Sequence, residues 1–472
     1  MPNSSRQPPL LTLVYPRFRY PSGDYPIGVA LLAAVVRTEL NWRVNIIDTT
    51  FNPDMEQVRQ TLETTRPDFI GIGMSTLMLG EGLEIAEMAH QVDAKVILGS
   101  AHPTMFPADM MKNECVDAVV IGEGEVPLVN LLKMWQAGLC HPIKGAHVRD
   151  RKTNTIYDSN ERDPVLDLDA LPFPAWDLID MNAYFDAWGQ LDSVQPGLRG
   201  VNLSGSRGCP FTCTFCAETL HTMFGRKLRQ RSPESLVGEL VELKSKFNIE
   251  AFWLTDDTFT TNRKYVERFC DILEESDLNL LWGCTTRANL IPEYLIKRMQ
   301  GVGLRKVGIG LESATERIRE GIYEKAVSDE EVSVTVHSLH KNGVQTLLFL
   351  MLGAPSETRK EMLETIRLAS LLPATEASFS LFVPLPGTSV YDDMKQGGYT
   401  LSEDWTDYDY YAKQPFEHEL SRWELRMWQR LGYARFFASR KRLPSLIQLV
   451  QNEKGRASLK RKLKRILPDI LV

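Results

Sequence analysis

Arg207-Gly208-Cys209-Pro210-Phe211-Thr212-Cys213-Thr214-Phe215-Cys216 places three of the chain's seven cysteines within eight residues, spaced Cys-x-x-x-Cys-x-x-Cys. Thiolates this close in sequence can converge on one soft metal centre. A closed zinc site wants four ligands, and no fourth Cys or His stands at a matching spacing. The nearest, His221, lies five residues beyond Cys216. A four-iron cubane is usually held by four thiolates, so three would leave one iron open to a small molecule. A zinc knuckle and chance clustering are the plainer explanations of the same spacing.

The chain on either side of the cysteines alternates strand and helix. Before them, Leu10–Tyr15, Val44–Asp48, Phe69–Met74, Lys95–Gly99 and Ala118–Gly122 are short apolar runs. Helical patterns at Ile27–Thr38, Met55–Thr65 and Glu81–His90 separate the first four. Near-continuous apolar strands between helices mean a parallel sheet covered on both faces. The first fold expectation is therefore a doubly wound, Rossmann-like α/β domain over residues 1–135. Residues 136–198, rich in Asp, Pro and aromatics, read as an irregular linker.

After the linker, strands are expected at Val201–Ser204, Phe252–Leu254, Leu280–Gly283, Lys306–Gly310, Thr346–Leu350 and Ser378–Val383. Ser232-Pro233-Glu234 opens a helix to Phe247, with Ser as cap, Pro in the first turn and Glu at the positive dipole end. Six strands are too few for a closed eight-strand barrel. An open (β/α)6 partial TIM barrel over residues 199–390 fits, with its site at the carboxyl ends of the strands. Those ends carry Asp256-Asp257, Thr285-Thr286-Arg287, Glu312-Ser313 and Gly353-Ala354-Pro355-Ser356-Glu357. Residues 391–472 read as a helical C-terminal segment. Its aromatics, Trp405, Tyr408, Tyr410, Tyr411, Phe416, Trp423 and Trp428, suit either a pocket cover or plain helix packing. Leu459, Leu463, Ile466 and Leu467 fall at helical spacing among Lys460, Arg461, Lys462, Lys464 and Arg465. This basic amphipathic helix suits an anionic membrane surface, a solvated tail or a nucleic-acid contact.

Composition bounds the rest. At 472 residues the chain suits two or three domains, and 43% hydrophobic residues is ordinary for a globular protein. A net charge of −7 implies no general polyanion binder. No apolar run reaches membrane-spanning length, and Met1 to Pro9 lacks a signal-peptide core. The expected location is cytoplasmic, with a peripheral contact at the inner membrane face through the basic helix. Cys115, Cys140, Cys270 and Cys284 are scattered and suit free buried thiols.

The cysteine motif resembles the signature of the radical S-adenosylmethionine superfamily. The resemblance extends to Leu254-Thr255-Asp256-Asp257-Thr258-Phe259, Gly310-Leu311-Glu312-Ser313 and Pro384-Leu385-Pro386-Gly387-Thr388. It implies a 4Fe–4S cluster on Cys209, Cys213 and Cys216, whose open iron chelates S-adenosylmethionine and cleaves it to a 5′-deoxyadenosyl radical. It also implies that backbone near Thr255 and Asp256 holds the methionyl amino group. Glu312 would bind the ribose or methionyl moiety, and Phe215, Leu352 and Gly353 would flank the adenine.

The N-terminal domain resembles the cobalamin-binding domain of one large subfamily, in Pro26-Ile27-Gly28, the Gly-x-x-His-Pro-Thr loop and the Gly122-Glu123-Gly124-Glu125 turn. The strand ends implied to meet cobalamin are Ser75, Thr76, Gly99, His102, Gly122, Glu123 and Gly124. Glycines there let a large flat ligand approach the backbone. The chain has no Asp-x-His-x-x-Gly motif and no His before His90, so cobalt would have no lower-axial imidazole from that motif. His102 reads as a loop hydrogen-bonder. A vestigial domain that binds no corrin is the plainer alternative.

The function expected is a cobalamin-dependent radical enzyme that methylates an unactivated carbon of a small-molecule or lipid-like substrate. It would draw electrons from a donor such as flavodoxin or ferredoxin. The alternative is the same radical without methylation: cyclisation, dehydration or rearrangement, as in porphyrin-cyclase relatives. A tRNA methylthiotransferase-like enzyme would want a second cluster, against which the single N-terminal Cys115 argues. A non-enzymatic metal-binding protein would leave the polar strand ends unexplained.

Overall fold

The structure, a computed structural model, describes residues 7–17, 23–408 and 415–439, and beyond them 442, 447, 450, 451, 453, 455–457, 459 and 460. It divides into two compact units, residues 1–183 with 219–229, and residues 184–218 with 230–472.

In the first unit, the chain runs β1 (Leu10–Tyr15), α1 (Ile27–Leu40), β2 (Arg43–Asp48), α2 (Met55–Thr65), β3 (Phe69–Gly73), α3 (Leu79–Gln91) and β4 (Lys95–Gly99). It continues through α4 (Ala101–Met105), α5 (Pro107–Met110), β5 (Ala118–Val120), α6 (Glu125–Gln136), β6 (Ala146–Arg149) and β7 (Ile156–Tyr157). The strand order is β2-β1-β3-β4-β5-β6-β7. The first five strands are parallel, and β6 and β7 join antiparallel.

Local chemistry explains the elements. Helix α2 is opened by Asp54, whose carboxylate accepts from the Glu56 and Gln57 N–H groups. Helix α1 ends at Asn41, in left-handed backbone that asparagine tolerates. The alanine face of α1, Ala30, Ala33 and Ala34, lets it lie close on the sheet, and Leu11, Ile70 and Val36 are fully buried. Trp42, Phe69 and Trp135 form a stack with ring centroids 5.2 and 5.9 Å apart. The one polar side chain inside β1, Thr12, donates to Asn45 Oδ1 at 2.6 Å.

Residues 136–198, expected as irregular linker, contain β6 and β7. A buried ionic tie holds them: Asp117 accepts from Arg151 Nη2 at 2.7 Å and from the Val96 N–H at 2.8 Å, while the Arg149 N–H donates to Asp117 O at 2.7 Å. Composition hid these strands because β6 carries His147 and Arg149, both buried.

The second unit holds the six expected strands. After α7 (Met181–Ala187), which spans the division between the units, come β8 (Gly200–Leu203), β9 (Ser206–Arg207), α8 (Ala217–Phe224), whose residues from 219 on belong to the first unit, β10 (Arg229–Gln230), which again spans the division, α9 (Pro233–Phe247), β11 (Ala251–Leu254) and α10 (Arg263–Glu275). Then follow β12 (Leu281–Thr286), α11 (Glu293–Gly301), β13 (Leu304–Glu312), α12 (Glu316–Arg319), α13 (Asp329–Lys341), β14 (Gln345–Leu352), α14 (Arg359–Leu371) and β15 (Glu376–Leu381). The parallel sheet runs β15-β14-β13-β12-β11-β8, the order of the chain itself. Ser232 caps α9 by accepting from the Ser235 N–H at 3.1 Å.

The amino ends of these strands are closed by residues 188–198. Trp188 Nε1 donates to Asn202 Oδ1, Lys306 Nζ to Gln190 O, and Gln345 Nε2 to Ser193 O, each at 2.8 Å. Beyond β15 lie α15 (Ser389–Gln396) and α16 (Arg422–Phe437). Helix α16 covers the sheet edge: Gln429 Nε2 donates to Phe379 O at 2.7 Å, and the Phe379 N–H to Tyr433 Oη at 3.2 Å. Edge-strand groups need such partners. Tyr410 and Tyr411, and all of the expected basic helix but Leu459 and Lys460, lie outside the described residues.

Candidate active site

The cysteine loop leaves the carboxyl end of β8. Cys213 is buried, Cys209 and Cys216 are half-buried, and all three are free thiols. The loop closes into a helical turn, with the Cys216 N–H donating to Cys213 O at 3.1 Å and the Ala217 N–H at 2.8 Å. The Thr214 N–H donates to Tyr323 O at 3.1 Å, and its hydroxyl to Ile322 O at 2.6 Å. Burial pushes the Cys209 thiol up and that of Cys216 up to about 12, the Asp257 charge adding to it. A bound metal reverses such a shift by deprotonating its thiol ligands. Among the described residues, no three His, Cys, Asp or Glu side chains converge as around a single ion. A cubane asks for less, since each thiolate binds its own iron. Three free thiols on one closed loop are a donor set that fits it.

The strand ends around this loop are chemically busy. Thr255 donates from its N–H and hydroxyl to Leu203 O, at 2.8 and 3.0 Å. The carboxylate of Asp256 is buried and accepts from the Gly205 N–H at 3.0 Å and from the Ser206 hydroxyl. It pins the end of β11 to the turn that leads into the cysteines. Desolvation, with the Asp256 charge beside it, pushes the Asp257 carboxyl up to about 6.

Glu312 ends β13 in left-handed backbone, φ 63°, where the pairing with β14 slips. It accepts from Lys325 Nζ at 2.7 Å. A Cβ at Gly310 would press on Glu312 Oε1 and Lys325 Nζ, so the pair would have to shift to admit a side chain. After β14, Gly353 takes φ 83°, and the Gly353 and Ala354 N–H groups donate to Glu357 Oε2 at 2.6 and 3.0 Å. Burial pushes the Glu357 carboxyl up to about 7, against the pull of those two donors. Phe215 meets Tyr323 edge-on at 5.3 Å.

The sequence motifs passed over residues 322–326. Their carbonyls hold Thr214 from Ile322 and Tyr323 and accept Arg287 at Ala326, and Lys325 pairs with Glu312. One turn thus ties the cysteine loop, β12 and β13 together. No local signal marks it, since every partner is remote in sequence.

In the first unit, the expected ligand-facing residues gather at strand ends. The sheet order reverses beside β1, the switch point where doubly wound sheets take ligands. Met74 N–H donates to Gly99 O at 3.0 Å and His102 N–H to Met74 O at 3.2 Å, which brings the loops after β3 and β4 together. His102 Nδ1 lies 3.0 Å from Thr76 Oγ1, and burial pushes its pKa down to about 4, so it is neutral. The Gly122 N–H donates to Thr104 Oγ1 at 3.0 Å, and Gly124 opens α6. Glu123 is buried against Arg229, with Nη1 to Oε2 at 3.1 Å, so its charge is already paired. The Ser75 hydroxyl is buried without a partner among the described residues. Such an orphan beside small residues fits a bulky ligand with acceptors and donors of its own.

Parallel α/β sheets with a three-cysteine loop at their strand ends define the class, and similarity to known proteins supplies the family. A model of the radical SAM superfamily matches residues 203–369, and one of the B12 binding domain matches residues 22–132. An uncharacterized methyltransferase of Pyrococcus horikoshii is 30% identical over 388 residues, which cover 81% of this chain and 81% of that protein. The anaerobic magnesium-protoporphyrin IX monomethyl ester cyclase of Rubrivivax gelatinosus is 27% identical over 385 residues, 78% of this chain and 66% of that one. The fold resembles that of the radical S-adenosylmethionine methyltransferase TsrM of Kitasatospora setae, solved with cobalamin and a 4Fe–4S cluster bound. Its TM-score is 0.69 and its identity 19%, over 83% of this chain and 75% of that one. The chain belongs to the radical S-adenosylmethionine superfamily, in the group that also carries a cobalamin-binding domain. Its members are enzymes, and their cofactors are a 4Fe–4S cluster, S-adenosylmethionine and cobalamin.

Proposed function

We propose that the chain methylates an unactivated carbon of a small-molecule or lipid-like substrate. The observation that carries this is the pairing of a three-cysteine loop on a parallel-sheet rim with a B12-binding domain, in a chain 30% identical to an uncharacterized methyltransferase. When bound, the cluster and S-adenosylmethionine supply a carbon-centred hydrogen abstractor, and cobalamin supplies the methyl group.

The chain's own residues then have these tasks. Cys209, Cys213 and Cys216 hold the cluster. Backbone at Thr255 and Asp256 receives the methionyl amino group, with Asp256 acting as a pin. Glu312, fixed by Lys325, takes the ribose or methionyl end. Phe215, Leu352 and Gly353 line the adenine, and Glu357 holds the Gly353 backbone in place. Ser75, Thr76, Gly99, Gly122 and Gly124 accept cobalamin, while Glu123 is spent on Arg229. We read His102, whose Nδ1 faces the Thr76 hydroxyl, as a loop residue that leaves cobalt alone.

We read the first sheet, order β2-β1-β3-β4-β5, as a Rossmann-like domain that continues past residue 135 through β6 and β7. The second is read as an open (β/α)6 partial barrel that ends near residue 390. The test is anaerobic incubation of the reconstituted protein with host extract, flavodoxin or ferredoxin as reductant, and S-adenosylmethionine with a deuterated methyl. An endogenous compound that gains the labelled methyl is expected. A compound that loses hydrogen without gaining the label moves the reading to the cyclase-like alternative, which the Rubrivivax relative favours.

A peripheral membrane contact belongs to the same proposal. Residues 421–472 hold fourteen Lys or Arg against three acidic residues. Trp423, Met427 and Leu431 recur every four residues on α16 and are exposed, a pattern that suits an anionic interface. Undiminished co-sedimentation with anionic vesicles after deletion beyond Leu443 removes the tail's share in it. Among the described residues no helix is long and apolar enough to cross a membrane.

A further inference from the structure

Arg287 leaves the end of β12 and is buried. Its Nη1 lies 3.5 Å from Cys213 Sγ, its Nη2 donates to Ala326 O at 3.0 Å, and its guanidinium sits 4.0 Å from the centre of the Phe211 ring. Nε is buried without a partner, and among the described residues no carboxylate stands within salt-bridge distance of this side chain. A guanidinium cannot shed its proton, and buried charges are paired or coordinate metals. The nearest group able to become anionic is the Cys213 thiol.

We propose that Arg287 is a positioning residue for the cluster: its fixed positive charge and its N–H donor to Cys213 Sγ raise the cluster's reduction potential. This rests on the reading of Cys209, Cys213 and Cys216 as cluster ligands. Cluster potentials are set by net charge, hydrogen bonds to sulfur and exposure. Reduction adds one electron from an external donor, so the cluster becomes more negative. A fixed cation beside it stabilises the reduced form more than the oxidised form. Phe211 and the Ala326 carbonyl keep the guanidinium there before any S-adenosylmethionine arrives. Both contacts use groups that a cluster leaves untouched, since Phe211 and Ala326 are not ligands.

The test is a redox titration of the anaerobically reconstituted full chain, without S-adenosylmethionine, followed by electron paramagnetic resonance. Arg287→Met is expected to hold the same iron and sulfide per chain while its reduced-to-oxidised ratio at a given potential falls roughly tenfold. For one electron that is about 59 mV more negative. Arg287→Lys, which keeps the charge, should recover most of the shift. Should the Met variant fail to load, Arg287→Gln carries the test, because it keeps a donor and loses the charge. An unchanged potential in a fully loaded Met or Gln variant overturns the proposal, and so does a Lys variant that matches a shifted Met variant. A wild-type chain that takes up no iron–sulfur cluster instead overturns the reading underneath.

Discussion

The strand ends of the two units carry opposite chemistry. In the first unit they are small and electrically quiet. Among the residues expected to meet cobalamin, His102 is neutral, Glu123 is matched by Arg229, and the others, Ser75, Thr76, Gly99, Gly122 and Gly124, are glycines and hydroxyls. In the second unit they hold ionisable groups under tension. Asp257 is pushed up to about 6, Glu357 up to about 7, Glu312 is locked to Lys325, and Arg287 is buried against a thiol. A quiet surface can recognise a large, flat cofactor by shape and backbone contact. A charged one can orient a zwitterion and manage electron transfer. The difference follows from the loops: glycine-containing turns expose backbone, whereas the loops after β11, β13 and β14 turn carboxylates onto the Gly205 N–H and Ser206 hydroxyl, onto Lys325, and onto the Gly353 and Ala354 N–H groups.

The largest test of that contrast is to remove the cysteines. Cys209→Ala, Cys213→Ala or Cys216→Ala should abolish the brown colour and the reductive cleavage of S-adenosylmethionine, while cobalamin uptake, followed by its visible absorbance, stays as in wild type. Full iron content and cleavage in the triple variant would break the second half of the comparison. Loss of cobalamin in every single variant would break its independence from the first half.

A middle-sized effect belongs to Glu357. Its folded pKa stands above the ordinary 4.5, so folding takes up a proton. The stability it confers is full below about 4.5 and is lost as pH rises through about 7, a swing of about 3 kcal/mol at most. Glu357→Gln keeps an acceptor for the Gly353 and Ala354 N–H groups and cannot ionise. Its thermal transition should therefore rise relative to wild type above about pH 8 and draw level below about pH 5. A difference that does not depend on pH would show that the carboxyl is not buried as described.

The smallest expected effect is none. His102→Ala should leave the electron paramagnetic resonance of bound cobalt(II) unchanged, with no nitrogen splitting in either protein. Splitting that vanishes in the variant makes His102 a cobalt ligand and ends the picture of a quiet first unit.

Much of this was legible in the chain. The strands at Leu10–Tyr15 and Lys95–Gly99 and the helix Met55–Thr65 lie where their periodicity places them, because those signals come from residues two to four apart. The same locality puts Cys209, Cys213 and Cys216 on one loop. Asp256 shows the limit: its position at the rim was readable, but its task of pinning the Gly205-Ser206 turn was not. The hairpin of β6 and β7 was missed because His147 and Arg149 look solvated until Asp117 and the neighbouring strand cover them.

By itself, the sequence determined the alternation of strand and helix, the six strands of the second sheet and the three-thiol loop. Only the tertiary structure decided that Lys325 meets Glu312, that residues 322–326 brace the cysteine loop, and that Arg287 lies beside Cys213 across 74 positions of chain. Local patterns record which face of an element is buried. They do not record which distant charge shares that burial, because that partner is chosen when the strands assemble and desolvation leaves each charge only the groups within reach.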